Sequence, residues 1–283
     1  MVLKTPLVVA SGPGGMGEYI PFINPDAIGA YILKTITLHP KEGSMPPRMY
    51  ATEHFLINRI GLENPGIDTF IENLKAGLYD GILNAVPVIL SLGGDSPKEY
   101  TEIAKKARSI ANMFIAIEFN FSCPNVEMGG LTIVANKQQL KDTMYKIRDI
   151  LKNNFIIAKF GIEGIFVEDA ANIMQDAGWD GITLINTVRG LVKTDRGYLR
   201  GGLSGPILKP IGMRAIYEVR KRYKDMFIMA SGGIYTYNDV IDYLEVGSNA
   251  VQIGSALFKN PHVINDIYFK LLIEKKHKRN ERR

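Results

Sequence analysis

Cysteine is almost absent from this chain: Cys123 is the only one in 283 residues. A single thiol excludes an internal disulfide and any metal or iron–sulfur site built from cysteines of this chain. Histidine is scarce too, and His39, His54, His262 and His277 are too scattered in sequence to propose a metal site. No run approaches the roughly 18 apolar residues that a membrane span requires. The chain does not open on a basic segment followed by a cleavable apolar core, so a cytoplasmic protein with no membrane contact is the simplest expectation. No linker divides the sequence, and residues 1–283 are expected to form one domain with a basic tail at 275–283. That tail holds six basic residues and one acidic residue, which accounts for the whole formal charge of +5. The rest is near neutral. Cations suit a solvated helix end, and no nucleic-acid partner is inferred.

What is present fits a sizeable core. Hydrophobic residues make up 46% and charged residues 22%, as in ordinary globular proteins. The length suits an α/β barrel, which typically takes about 250 residues. Eight short β-prone runs occur, at 6–10, 29–35, 86–91, 114–119, 155–160, 181–185, 227–230 and 250–254. Most are apolar almost throughout, the pattern of parallel strands buried on both faces. Helical patterns lie at 97–111, 137–153, 167–177, 213–223, 237–244 and 261–274. Their alternation with the strands predicts a closed (β/α)8 TIM barrel. Two Gly- and Pro-rich stretches are too long for simple crossovers. Residues 36–85 read as an excursion over the barrel mouth plus a helix near 67–79, and 188–207 as a second excursion.

Barrel enzymes carry their sites at the C-terminal ends of the strands, so the residues there are the candidates. In chain order they are Ser11 and Gly12, Lys34 and Thr35, Ser91, Asn120 through Cys123, Lys159, Asn186 and Thr187, Ser231 through Gly233, and Gly254 with Ser255. Cys123 lies on a loop that Pro124 stiffens and Gly129-Gly130 hinges, between the amides of Asn120 and Asn125. A thiol so placed reads as a site rather than as packing. Lys34 and Lys159 need anionic or electron-rich partners, because buried charge is costly unless paired; structural salt bridges are one source of them. The turns at Gly232-Gly233 and Gly254-Ser255 match the phosphate site that barrels build after strands seven and eight. The remaining donors suit a planar, hydrogen-bonding ring.

Five stretches, Asn58 to Gly66, Asn120 to Val126, Ile185 to Thr187, Gly201 to Pro206 and Ser231 to Ile234, together resemble the dihydroorotate dehydrogenase family in its soluble, cysteine-dependent class. Asn120-Phe121-Ser122-Cys123-Pro124-Asn125-Val126 is similar to the family's catalytic loop. Asn58-Arg59-Ile60-Gly61-Leu62-Glu63-Asn64-Pro65-Gly66 is similar to its substrate loop, and Ile185-Asn186-Thr187 to its second asparagine site. Gly201-Gly202-Leu203-Ser204-Gly205-Pro206 and Ser231-Gly232-Gly233-Ile234 complete the set. The resemblance implies a barrel that uses FMN to oxidise (S)-dihydroorotate to orotate in pyrimidine synthesis. It makes Cys123 the base that removes the C5 proton, with hydride passing from C6 to flavin N5. It has Lys34, Asn58, Asn120, Asn125, Asn186 and Thr187 hold the substrate, helped by the Ile60, Gly61 and Leu62 turn. Ala10, Ser11, Gly12, Lys34, Thr35, Ser91, Asn120, Lys159, Ile185, Gly205, Gly232, Gly233, Gly254 and Ser255 would then line FMN. Lys159 would stabilise the anionic reduced ring at its N1/O2 edge. After Lys159 the chain reads Phe160-Gly161-Ile162, where the family more often has a short Ser/Pro segment.

The wording of 125–130 and 201–205 is closer to the NAD-linked type than to the fumarate-using homodimer. The Gly12-Pro13-Gly14-Gly15-Met16-Gly17 stretch after the first strand has glycines at Gly-x-Gly-x-x-Gly spacing but is similar to a flavin-side turn of the family rather than to a dinucleotide fingerprint. With one cysteine in the chain, NAD use therefore implies a partner subunit carrying FAD and an iron–sulfur cluster. A homodimeric core is also expected from the resemblance. Two other enzyme readings stay open: a dihydropyrimidine dehydrogenase-like FMN barrel, and an aldolase-type barrel with a Schiff base on Lys34 or Lys159. A non-catalytic phosphate-binding barrel is the remaining alternative.

Overall fold

The computed structural model of the chain describes residues 1–121 and 130–280. The first half runs β1 (Leu7–Val9), β2 (Ala30–Ile32), β3 (Met49–Ala51), β4 (Leu56–Asn58), α1 (Ile67–Lys75), α2 (Asp80–Ala85), β5 (Val88–Gly93), α3 (Pro97–Ala107), β6 (Ala116–Asn120), α4 (Gly130–Ala135) and α5 (Lys137–Ile150). The second half runs β7 (Ile156–Phe160), α6 (Val167–Asp176), β8 (Gly181–Leu184), β9 (Val188–Thr194), β10 (Gly197–Ser204), α7 (Lys209–Arg222), β11 (Phe227–Ser231), α8 (Tyr237–Glu245), β12 (Ala250–Ile253), α9 (Ala256–Lys259) and α10 (Val263–Asn280). Strands β1, β2, β5, β6, β7, β8, β11 and β12 are parallel and close into a barrel, as the eight apolar runs predict. None of the described helices is long and apolar enough to cross a membrane.

Because strand side chains alternate between faces, each barrel strand sends one stripe outward to the helices and one inward. The outward stripe joins the apolar helix faces in a continuous core that includes Leu7, Leu90, Ile117, Phe119, Ala158, Phe160 and Ile182. Inside the barrel, Val8, Ile32, Ile89, Ala116, Ile157, Met229 and Ala250 form a separate apolar plug, closed below by Met1, Leu3, Phe155 and Phe227. Two residues further along the same inward stripes the chemistry changes: Ile89 gives way to Ser91, Ala116 to Glu118, Ile157 to Lys159 and Ala250 to Gln252. All four are buried. Nearly all-apolar strands were expected, so this polar storey is a departure.

The two excursions also contain more order than expected. They pair with each other as an antiparallel sheet in the order β3-β4-β10-β9, with Gly202 opposite Asn58 and Leu203 opposite Ile57. β3 and β4 have only three residues each, while β9 and β10 mix glycine with exposed residues, so none shows the continuous apolar run that marks the barrel strands. Gly201 is required at the crossing, because a Cβ there would lie 2.1 Å from the Asn58 carbonyl oxygen. The helix expected near 67–79 ends at Lys75, a second helix, α2, follows beyond the expected range, and α7 begins four residues before the expected 213.

Candidate active site

A cavity of about 370 Å³ opens at the C-terminal mouth of the barrel, within the size range of small-ligand and cofactor sites. Its floor is the polar storey, where Lys159 and Gln252 meet Asn120 at the end of β6. Its roof comes from the antiparallel sheet, through Met49, Leu56, Asn58 and Ser204. The predicted residues Ala10, Ser11, Gly12, Lys34, Thr35, Ile60, Leu62, Ile185, Asn186, Thr187, Gly232, Gly233, Gly254 and Ser255 complete most of the wall. Cys123 and Asn125 lie outside the described residues.

Three other predicted positions stand behind the lining. Ser91 is wholly buried, and its Oγ sits 2.9 Å from Thr35 Oγ1, which in turn is 3.1 Å from Ser11 Oγ. Ser11 donates onward to the Leu33 carbonyl at 2.8 Å, so this chain of hydroxyls stiffens one wall. Gly61 lies in the turn after β4 with φ +78°, and a Cβ there would meet Ser44 N at 2.7 Å. Leu62 follows with φ +55°, an uncommon conformation for a residue with a side chain. Gly205 lies against Phe55 and His54 beneath the sheet, also at positive φ.

The amides form a connected set. Asn186 Nδ2 donates to Asn120 Oδ1 at 3.1 Å, and the Thr187 N–H donates to Asn186 Oδ1 at 2.9 Å. Asn58 Nδ2 donates to the Gly202 carbonyl at 3.1 Å, tying the roof strand that carries it to its neighbour. Tyr100, from α3, donates its hydroxyl to the Asn120 carbonyl. These contacts fix the amides in place before any ligand arrives, which lowers the ordering cost of binding.

Electrostatics divide the site. Lys159 is 5% exposed; its Nζ donates to Gln252 Oε1 at 3.3 Å and lies 3.9 Å from Glu118 Oε1. Glu118 Oε2 accepts from Gln252 Nε2 at 2.7 Å and from Thr183 Oγ1 at 2.8 Å. The anionic partner that Lys159 needs is therefore inside the barrel. At the opposite rim, the backbone N–H groups of Gly232, Gly233, Gly254 and Ser255 enter no backbone hydrogen bond among the described residues. The turn there is braced. A Cβ on Gly233 would lie 2.5 Å from Lys209 N, and Lys209 Nζ bridges Asp239 Oδ1 at 2.5 Å and Asp242 Oδ2 at 2.6 Å. Burial alone would push the Asp239 carboxyl up. Hydrogen bonds from Lys209, from the Tyr235 N–H and from Thr236 outweigh it and hold the carboxyl below its ordinary value. Burial keeps the Tyr235 phenol above its ordinary value, so it stays a donor, to Ser255 Oγ at 2.8 Å.

Glu118, Thr183 and Gln252 were missed in the sequence, as were Met49, Leu56 and Ser204. A signal for the first three was present: counting back two residues from Asn120, Ile185 and Gly254 reaches each of them on the inward stripe. The roof residues had no such signal, because nothing local ties β3 or β10 to the barrel.

A closed parallel barrel with a cavity at the C-terminal ends of its strands, a buried lysine in the floor and an ordered set of asparagines has the layout of a barrel enzyme. The chain belongs to the dihydroorotate dehydrogenase family, whose model matches residues 1–274. A Thermotoga maritima protein named dihydroorotate dehydrogenase B (NAD(+)), catalytic subunit, is 52% identical over 265 residues, covering 94% of this chain and 96% of the relative. A protein of the same name from Brachyspira hyodysenteriae is 35% identical over 276 residues, covering 94% and 89%. The fold matches a crystal structure of dihydroorotate dehydrogenase in complex with ferulenol from Eimeria tenella, with TM-score 0.82 at 21% identity, over 97% of this chain and 82% of that one.

Proposed function

We propose that this chain is the catalytic subunit of an NAD-linked enzyme that oxidises (S)-dihydroorotate to orotate on bound FMN. The observation that carries this reading is that one cavity collects both residue sets: Lys34, Asn58, Asn120, Asn186 and Thr187 for the substrate, and Lys159 with the two glycine turns for the cofactor. The fit to FMN rests on the chain's own groups. The four unused N–H groups suit a phosphate, the space beside Gly12, where a Cβ would meet nothing within 4 Å, leaves room for a ligand, and the Lys159 ammonium offers a positive charge at the floor. Bound there, FMN would supply a two-electron acceptor.

The remaining work falls to side chains. The asparagine amides match the carbonyl and N–H edges of a pyrimidine ring, and Lys34 offers its carboxylate a positive charge. Cys123 takes the C5 proton. A free thiol titrates near 8.5, so only a few per cent is thiolate at pH 7, and turnover should rise with pH towards the thiol's ionisation. The sheet across the mouth limits access of water to the reacting atoms. The names of the relatives, each a catalytic subunit, support a second subunit; in this reading it carries FAD and an iron–sulfur cluster and passes electrons to NAD. A homodimeric core belongs to the same proposal.

Purified chain should be yellow, oxidise dihydroorotate with an artificial dye and leave NAD unreduced until the partner is added. Colourless protein, or faster turnover of dihydrouracil, would sink the reading; direct NAD reduction would remove the partner from it. Cys123→Ser should keep the flavin and lose about 10²- to 10⁴-fold in turnover, the usual worth of a general base.

A further inference from the structure

The proposed mechanism leaves one buried acid without a task. Glu118 is wholly enclosed by the barrel. One of its oxygens takes two hydrogen bonds, while Oε1 has none among the described residues and faces Lys159 Nζ across 3.9 Å. A buried carboxylate oxygen without a donor is unusual, and a shift of the ammonium toward it would satisfy it. Gln252 instead bonds to both, taking the ammonium on Oε1 at 3.3 Å and giving Nε2 to Glu118 Oε2 at 2.7 Å. A carboxylate only accepts and an ammonium only donates, so the Gln252 amide can serve both in one orientation, Nε2 toward Glu118 and Oε1 toward Lys159. Its Nε2 also lies 3.1 Å from Thr183 Oγ1, which locks that orientation. The amide therefore holds the ammonium short of the carboxylate, at the level where Lys159 and Gln252 both line the cavity.

We propose that Glu118 and Gln252 are positioning residues for Lys159 that set how strongly the cavity stabilises an anionic reduced ring. Gln252 is the tether that keeps the ammonium at the cavity surface. Glu118 locks the tether and, as a nearby negative charge, moderates the field the ring experiences. The proposal rests on FMN occupying this cavity.

The test is the two-electron midpoint potential of the full-length, FMN-loaded chain, measured by reductive titration against a reference dye. Glu118→Gln keeps the shape and removes the negative charge. It should favour the reduced form at least tenfold, an upward shift of about 30 mV for a two-electron couple. Gln252→Met keeps the volume and removes the amide that tethers the ammonium, so the ammonium moves onto Glu118. It should disfavour the reduced form at least tenfold, about 30 mV downward. Network residues that serve packing alone would lower the melting temperature in both variants and leave both potentials within threefold of the parent; that result overturns the proposal, as do shifts of the same sign. If Glu118→Gln fails to fold, Gln252→Met decides by its sign alone, since an unmoved or raised potential rejects the tether. A wild-type chain that binds no FMN rejects the functional reading instead, and is recognised before any variant is made.

Discussion

The barrel interior and the sheet across its mouth meet the same cavity under opposite conditions. In the barrel, β5, β6, β7, β8 and β12 are buried along their whole length, and each strand has a neighbour on both sides. In the covering sheet, β9 alternates between half-buried and exposed residues, β3 and β9 are edges, and Leu191 and Tyr198 are more than half exposed. The difference shows how charge is placed. The interior admits Lys159 only with Glu118, Thr183 and Gln252 arranged around it, because an ion there loses its water. The sheet needs no such arrangement, and it presents Asn58 on a strand held by two antiparallel neighbours.

If that contrast is right, Lys159→Met should be the most damaging change to stability. It leaves the Glu118 carboxylate buried without its cation, which costs about 3–5 kcal/mol, readable by urea unfolding. A loss of about 1 kcal/mol or less, the worth of an exposed pair, would break the comparison. The rim should respond less. Asp239 belongs to the capping box of α8 and receives Lys209, so Asp239→Asn should lose about 1 kcal/mol. Its folded-state carboxyl is held below the ordinary aspartate value, so its contribution is complete above that value and disappears as pH falls through the depressed one. Thermal melts of the parent and of Asp239→Asn should therefore converge in strong acid and differ at neutrality. Equal separation at both would remove the brace from the account. Smallest of all, Tyr198→Ser on the exposed hairpin should move stability by no more than about 0.5 kcal/mol. A larger loss in dilute, monomeric protein would mean that the sheet is packed more like the interior than its exposure indicates.

The same contrast governs what could be read in advance. All eight barrel strands were legible because parallel strands covered on both faces must be apolar nearly throughout, and that pattern is local in sequence. Lys34 and Lys159 were legible as polar residues at the ends of such runs, and Asn120 and the glycine turns as residues that follow them. Glu118 was passed over inside its run, since one acid among Ile115, Ala116, Ile117 and Phe119 does not break the apolar pattern. The strands β3, β4, β9 and β10 were not legible. Each excursion holds one local hairpin, β3 with β4 and β9 with β10, but the β4–β10 pairing that makes them one sheet joins positions 144 residues apart, and pairing of that kind leaves no periodic mark. Family motifs reached Asn58 and Gly205 by likeness, without indicating that one lines the cavity and the other supports it.

The order of residues alone determined a β/α alternation of barrel length, a single cysteine shortly after an apolar run and glycine pairs after the last two such runs, because each of these is written in consecutive positions. The folded chain decided which polar groups share the interior, how Gln252 comes to bond both a lysine and a glutamate, and that two distant excursions form one sheet over the cavity. Those outcomes depend on strands brought together around a closed ring, where the neighbours of a side chain are set by packing rather than by sequence distance.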